Sequence, residues 1–142
     1  MKILGLDLGD KTLGIAISDA LGLMAHGVET FTFKTKHYKH ALEHLLVVIE
    51  KENVSTIVLG LPKNMDNSEG ERALISRRFA KKIESSTSVK IVLWDERLTT
   101  AQAEQVLIKG NVRRENRKNH VDKIAATLIL QNYLDATSHI KE

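Results

Sequence analysis

Between Ile3 and Gly9 every residue is apolar or glycine except Asp7. A run of this kind reads as a buried strand, and it delivers one carboxylate to its C-terminal end. A charge closing a buried strand needs a partner, a metal or a substrate, because an unpaired buried charge is costly. The stretch Asp10 to Ser18 then supplies a polar turn and a second apolar strand. The pair reads as a hairpin with Gly9 and Gly14 near its tip. Such a tip can hold a metal ion or admit a phosphate close to the backbone. A plain Asx-type turn accounts for the same residues without any function.

The remaining periodicities fix an order of elements around that hairpin. Strands are expected over about 2–8, 13–19 and 27–34, close enough in sequence to pair antiparallel. A helix is expected over about 36–52, with Tyr38, Leu42, Leu45, Leu46 and Ile49 on one face. Val54 to Leu59 reads as a buried strand, ended by Gly60-Leu61-Pro62. Ser68 and Glu71 have capping-box spacing and open a helix to about Ser85, with Ile75, Phe79 and Ile83 inward. Val89 to Trp94 is a further strand, and Trp94 is expected in the core. Thr99 and Gln102 repeat the capping-box spacing and open a short helix to about Lys109, ended by Gly110-Asn111. Residues 111–119 read as a basic loop, and a last helix over about 120–137 turns Val121, Ile124, Ala125, Leu128 and Leu134 inward. The order β-β-β-α-β-α-β-α-α implies an α/β domain: a five-stranded mixed sheet with helices on both faces.

At 142 residues the chain is long enough for one domain, 1–142, with one core. No apolar run is long enough to span a bilayer, the N-terminus does not read as a signal peptide, and there is no cysteine. Disulfides and zinc–thiolate sites are thereby excluded, and a cytoplasmic protein with no membrane association is expected. The net charge of +3 decides little, but its distribution is informative. Lys109, Arg113, Arg114, Arg117, Lys118 and Lys123 face only Glu115 and Asp122 in that stretch. Arg72, Arg77, Arg78, Lys81 and Lys82 form a second cluster, and Lys34, Lys36 and Lys39 a third. Such clusters suit a polyanion, although each alone also reads as a solvated face.

Ligands of such sheets gather at the C-terminal ends of the parallel strands. Asp7, the Gly60–Asn64 loop and Asp95-Glu96 should therefore share one edge, with Asp122 close to the start of the last helix. Converging acids bind divalent ions through oxygen. Two such ions about 4 Å apart activate a water and stabilise the leaving oxygen in phosphodiester cleavage. Each acid also has a structural reading. Asp122, three residues after Asn119, fits a helix cap, and Asp95 or Glu96 fits an ion pair with Arg97. Spacing does not choose between Asp95 and Glu96. A strand two positions from the first lies about 10 Å away, so its acid reaches Asp7 only through an inward-curling loop. Lys11, Thr12, Lys63 and Asn64 are candidates for phosphate contact at the same edge. His37, His40 and His44 share helical spacing, but no acid or cysteine completes a ligand set, so a solvated helix face is expected.

Four segments together resemble the YqgF-like, or RuvX-like, branch of the ribonuclease H-like superfamily. They are Gly5-Leu6-Asp7-Leu8-Gly9-Asp10-Lys11-Thr12-Leu13-Gly14-Ile15-Ala16, Gly60-Leu61-Pro62-Lys63-Asn64-Met65, Asp95-Glu96-Arg97-Leu98-Thr99-Thr100 and Val121-Asp122-Lys123-Ile124-Ala125-Ala126. The resemblance implies a ribonuclease H-like fold with sheet order 3-2-1-4-5. It implies an endonuclease dependent on Mg²⁺ or Mn²⁺, in one or two ions, with a catalytic and metal-binding triad at Asp7, Glu96 and Asp122. Lys11, Thr12, Lys63, Asn64, Arg97, Arg113, Arg114, Arg117 and Lys118 are then the substrate-contacting candidates. The implied substrates are structured RNA in the 5′ processing of pre-16S rRNA, with association to ribosome precursors, or branched DNA in Holliday junction resolution; the rRNA role is the favoured one. Asp10 departs from the family pattern, where a threonine or another small polar residue is usual, and adds a negative charge beside Asp7. Two other classes compete. An actin-like ATPase opens with a similar hairpin but needs a second related domain, and a non-catalytic nucleic-acid-binding module would use the acids structurally.

Overall fold

The computed structural model describes residues 1–64, 66, 68–95 and 114–138, with backbone alone at 114–122 and 138. The strands are β1 (Lys2–Leu8), β2 (Thr12–Ser18), β3 (Ala25–Thr32), β4 (Val54–Leu61) and β5 (Lys90–Asp95). The helices among the described residues are α1 (Tyr38–Glu52), α2 (Glu71–Ser86) and α3 (Arg114–Ser138). The sheet order is β3-β2-β1-β4-β5, as the resemblance implied. β1 pairs antiparallel with β2 and parallel with β4, and β4 pairs parallel with β5. The strands joined by short connections are antiparallel, and those separated by a helix are parallel, which is what connection length dictates.

The two faces are packed differently. Leu4, Leu6 and Leu8 of β1 join Leu13, Ile15, Ile57 and Leu59 beneath α1 and α2, which contribute Leu45, Ile49, Phe79 and Ile83. On the other face Ala16 and Val58 meet Ala126, Ile129, Leu130 and Leu134 of α3, with Trp94 packed edge-on against Tyr133. Gly5 permits this approach: a Cβ there would lie 2.6 Å from Leu130 Cβ and 2.7 Å from the Ala126 carbonyl oxygen. Trp94 is thus half-buried on a flank of the smaller core.

Several local expectations change. The spacing of Ser68 and Glu71 does not make a capping box: α2 is capped at Gly70, without a side-chain bond. Ser68 instead donates both its backbone N–H (3.0 Å) and its hydroxyl (2.6 Å) to Asp66 Oδ1, a nearer acceptor that competes for it. Residues 114–119 are helical rather than a loop, because neither glycine nor proline interrupts the chain after Gly110. The inward stripe of α3 is Ala125, Ala126, Ile129, Leu130 and Leu134, so Ile124 and Leu128 are only half-buried. The close fit over Gly5 rotates the helix onto its small residues. The expected helix over about 99–109 lies outside the described residues.

Candidate functional site

Side chains alternate along β1, so Asp7 lies on the face of Ile3 and Gly5, toward α3, while Leu4, Leu6 and Leu8 fill the larger core. Its cross-strand partner in β2 is Gly14. On the other side, β4 pairs Leu59 with Leu6, and the next residues along are Gly60 and Asp7. Asp7 therefore stands half-buried between two glycines, with no side chain beside it on either neighbouring strand. The hairpin tip is closed by Gly9 N–H donating to the Thr12 carbonyl at 2.7 Å, and a Cβ at Gly9 would meet Thr12 Oγ1 at 2.8 Å. A carboxylate at a strand end flanked by glycines is an oxygen donor of the kind that suits a hard cation.

The same geometry bears on the other acids. Ile91 and Leu93 pack in the larger core and Val92 and Trp94 in the smaller. Asp95, exposed and in register with Leu61, continues the Ile91–Leu93 series and lies on the face opposite Asp7. Glu96 and Arg97 lie outside the described residues. The position of Asp122 is within the third turn of α3, since the helix begins at Arg114. That removes the reading of Asp122 as a cap completed by Asn119, and it places the residue beyond the first turn, where the helix dipole acts. Position 122 is one turn before Ala126 and two before Leu130, the two residues that sit over Gly5. Lys123 and Thr127 lie against Gly27, and Gln131 receives the Ala25 N–H at 2.9 Å, so α3 descends toward the start of β3. Its N-terminal turns thus lead toward the sheet edge where Asp7 stands. Arg114, Arg117 and Lys118 lie on those turns, with side chains beyond description, and Arg113 is outside the described residues.

Lys11 is exposed at the hairpin tip and Thr12 opens β2. Lys63 and Asn64 follow the end of β4 at the same edge. Asn64 is held in its loop: its backbone N–H reaches the Ser68 carbonyl and its side-chain amide the Ser68 hydroxyl, both at 2.9 Å. Two charged residues act here that spacing did not single out for the site. Arg72, in the first turn of α2, donates to the Leu8 carbonyl at 2.9 Å and to Asp10 Oδ1 at 2.5 Å. The extra acid at Asp10 is thereby paired. Their separation of 62 residues hides the contact from any local pattern. Thr30, the partner of Gly14 in β3, carries a buried hydroxyl without a hydrogen-bond partner on Asp7's side of the sheet. The histidines do not form a metal cluster: His44 pairs with Glu29 and stacks on Phe31 at 4.1 Å. Among the described residues no group of three or more metal-binding side chains occurs, and no helix is long and apolar enough to cross a membrane.

The sheet order and the crossing helix are those of a ribonuclease H-like domain. The solved structures it resembles include Thermus thermophilus RuvC in complex with a Holliday junction substrate, with a TM-score of 0.62 at 16% identity over 98% of this chain and 96% of that one. The Fowlpox virus resolvase bound to junction DNA gives 0.59 at 14% identity, covering 96% and 98%. The family model for RuvX, described as Holliday junction resolvase, matches residues 1–136. A relative from Geobacillus sp. (strain WCH70), named "Putative pre-16S rRNA nuclease", is 50% identical over 136 residues, 96% of this chain and 99% of its own length. One of the same name from Bacillus subtilis (strain 168) is 48% identical over the same coverage. The chain belongs to the RuvX family.

Proposed function

We propose that this chain is a metal-dependent endonuclease that hydrolyses phosphodiester bonds in the 5′-end processing of pre-16S rRNA. The observation that carries the reading is Asp7, half-buried at the sheet edge between Gly14 and Gly60 on the face crossed by α3. The names of the relatives favour the rRNA substrate. The family description favours a second reading, resolution of branched DNA at Holliday junctions.

Asp7, Glu96 and Asp122 are the acids assigned to hold Mg²⁺ or Mn²⁺, in one or two ions. The carboxylate oxygens of these acids, with glycines as the strand neighbours of Asp7, fit such an ion. When bound, the metal lowers the pKa of a water and stabilises charge on the phosphate. Two observations support the triad as assigned. Asp95 belongs to the opposite face, which favours Glu96 as the second acid, and position 122 shares the helix stripe of Ala126. The protein's own part is to hold and orient the strand being cut. Lys11, Thr12, Lys63 and Asn64 line the edge beside Asp7, and Arg97, Arg113, Arg114, Arg117 and Lys118 supply the charge that binds backbone phosphates. Ribosome precursors are the partner this assigns, and the cytoplasm the place.

The test is incubation of purified protein with a pre-16S rRNA 5′ fragment and with a four-way DNA junction, with and without Mg²⁺. Cleavage of the RNA that needs Mg²⁺ and disappears in Asp7→Asn, with the melting midpoint retained, is the expected result. Equal cleavage by wild type and variant sinks the nuclease site. Binding without cleavage in every metal tried establishes a non-catalytic module instead.

A further inference from the structure

The connection between β3 and α1 is pinned to the hairpin tip by two backbone bonds, Phe33 N–H to the Lys11 carbonyl at 2.8 Å and Lys36 N–H to the Asp10 carbonyl at 2.7 Å. Lys36 adopts a positive φ of 65°, a conformation that costs a residue with a side chain, and the bond to Asp10 is made from it. The backbone of Lys11 and Lys36 is thereby held beside Asp10, whose carboxylate accepts from Arg72. Arg72 alone of these cations is ion-paired among the described residues.

We propose that Arg72, with Lys11 and Lys36 on the adjoining backbone, forms an anion site for a backbone phosphate of the bound nucleic acid, which the Asp10 carboxylate occupies as an internal competitor. This rests on the nuclease reading and adds a second phosphate contact to it. Three physical points carry it. A guanidinium offers a carboxylate and a phosphate the same planar fork, so the two compete for it. The pair is exposed, at 48% for Arg72 and 52% for Asp10, and exposed pairs exchange readily. Lys11 and Lys36, whose backbones adjoin the pair and which form no ion pair among the described residues, offer a phosphate positive charge that the carboxylate does not use. Because Arg72 also holds the Leu8 carbonyl, one residue along the chain from Asp7, the site lies at the same C-terminal end of β1, on the side of α1 and α2.

The experiment is a double-mutant cycle on binding, read by fluorescence anisotropy in EDTA with a pre-16S 5′ hairpin RNA and, separately, a four-way DNA junction. Asp10→Asn should tighten Kd by about threefold to tenfold and steepen the salt dependence by about one unit of slope. In an Arg72→Gln background, which keeps a donor for the Leu8 carbonyl, the same change should gain less than about 1.5-fold. An equal gain in both backgrounds reports simple charge removal and overturns the competition, as does no gain at all. Either result leaves the nuclease reading standing if the wild type still binds. Failure of the wild type to bind either probe in EDTA overturns the proposed anion site, and the nuclease reading is decided separately by cleavage in Mg²⁺.

Discussion

The two faces of the sheet obey different rules. Beneath α1 and α2, Leu, Ile and Phe side chains interdigitate, and Phe79, Leu45 and Leu59 are almost wholly buried. Beneath α3 the central contacts come from Gly5, Ala16, Gly27 and Ala126, and the helix backbone nearly touches the strand. The first face maximises apolar area removed from water. The second gives up area for a fixed short distance between β1 and the helix that carries Asp122. Asp7 stands on that second face, where position matters more than volume.

Substitutions on each face should separate stability from activity. Phe79→Ala should cost about 3–5 kcal/mol, seen in urea unfolding, with cleavage per folded molecule unchanged. If cleavage falls in proportion while the variant remains folded, the division between the faces is wrong. Asp7→Asn is the converse: cleavage should fall about 100-fold or more, about 2.7 kcal/mol in barrier. Unfolding should move by less than about 0.5 kcal/mol. Gly5→Ala should affect both. Its methyl group meets α3 at 2.6 Å, so overpacking of about 1–3 kcal/mol is expected together with reduced cleavage, since the helix must shift. A Gly5→Ala variant with unchanged melting and activity would show that the close approach has no function.

The same contrast explains what could be read from the chain. The antiparallel pairing of the first strands and the parallel pairing of the later ones were legible because connection length determines it, and β1 falls at 2–8 as expected; the strand order itself came from the family resemblance. Asp7 was legible because a carboxylate in an apolar run is conspicuous. The inward stripe of α3 was not, since Ala126 and Leu130 are selected by the missing Cβ of Gly5, far away in sequence. The start of α3 was missed because the charge-rich residues 114–119 mimic a loop while having good helix propensity. The face on which Asp95 lies was not legible, since it depends on which core Ile91 and Leu93 enter. Arg72 with Asp10 is a tertiary pairing with no local signature.

The smallest effect concerns the loop joining β4 to α2, which borders the edge where both faces end. Asp66 Oδ1 accepts from the Ser68 hydroxyl and backbone N–H, and these bonds hold its carboxyl below the ordinary value of 3.8. Glu69 is likewise lowered, by the Arg77 guanidinium that donates to it at 2.6 and 2.7 Å. A carboxyl with a lowered folded pKa contributes stability above its unfolded value and loses it as pH falls through the folded one. Both groups are exposed, so the loop alone should respond while the sheet stays folded. The Ser68 amide resonance should therefore titrate with a midpoint below 3.8, and in Asp66→Asn that titration should vanish. A midpoint at or above the ordinary value would mean that the Ser68 bonds do not persist in solution. Asn64, which leans on Ser68, would then be free to turn toward the substrate edge.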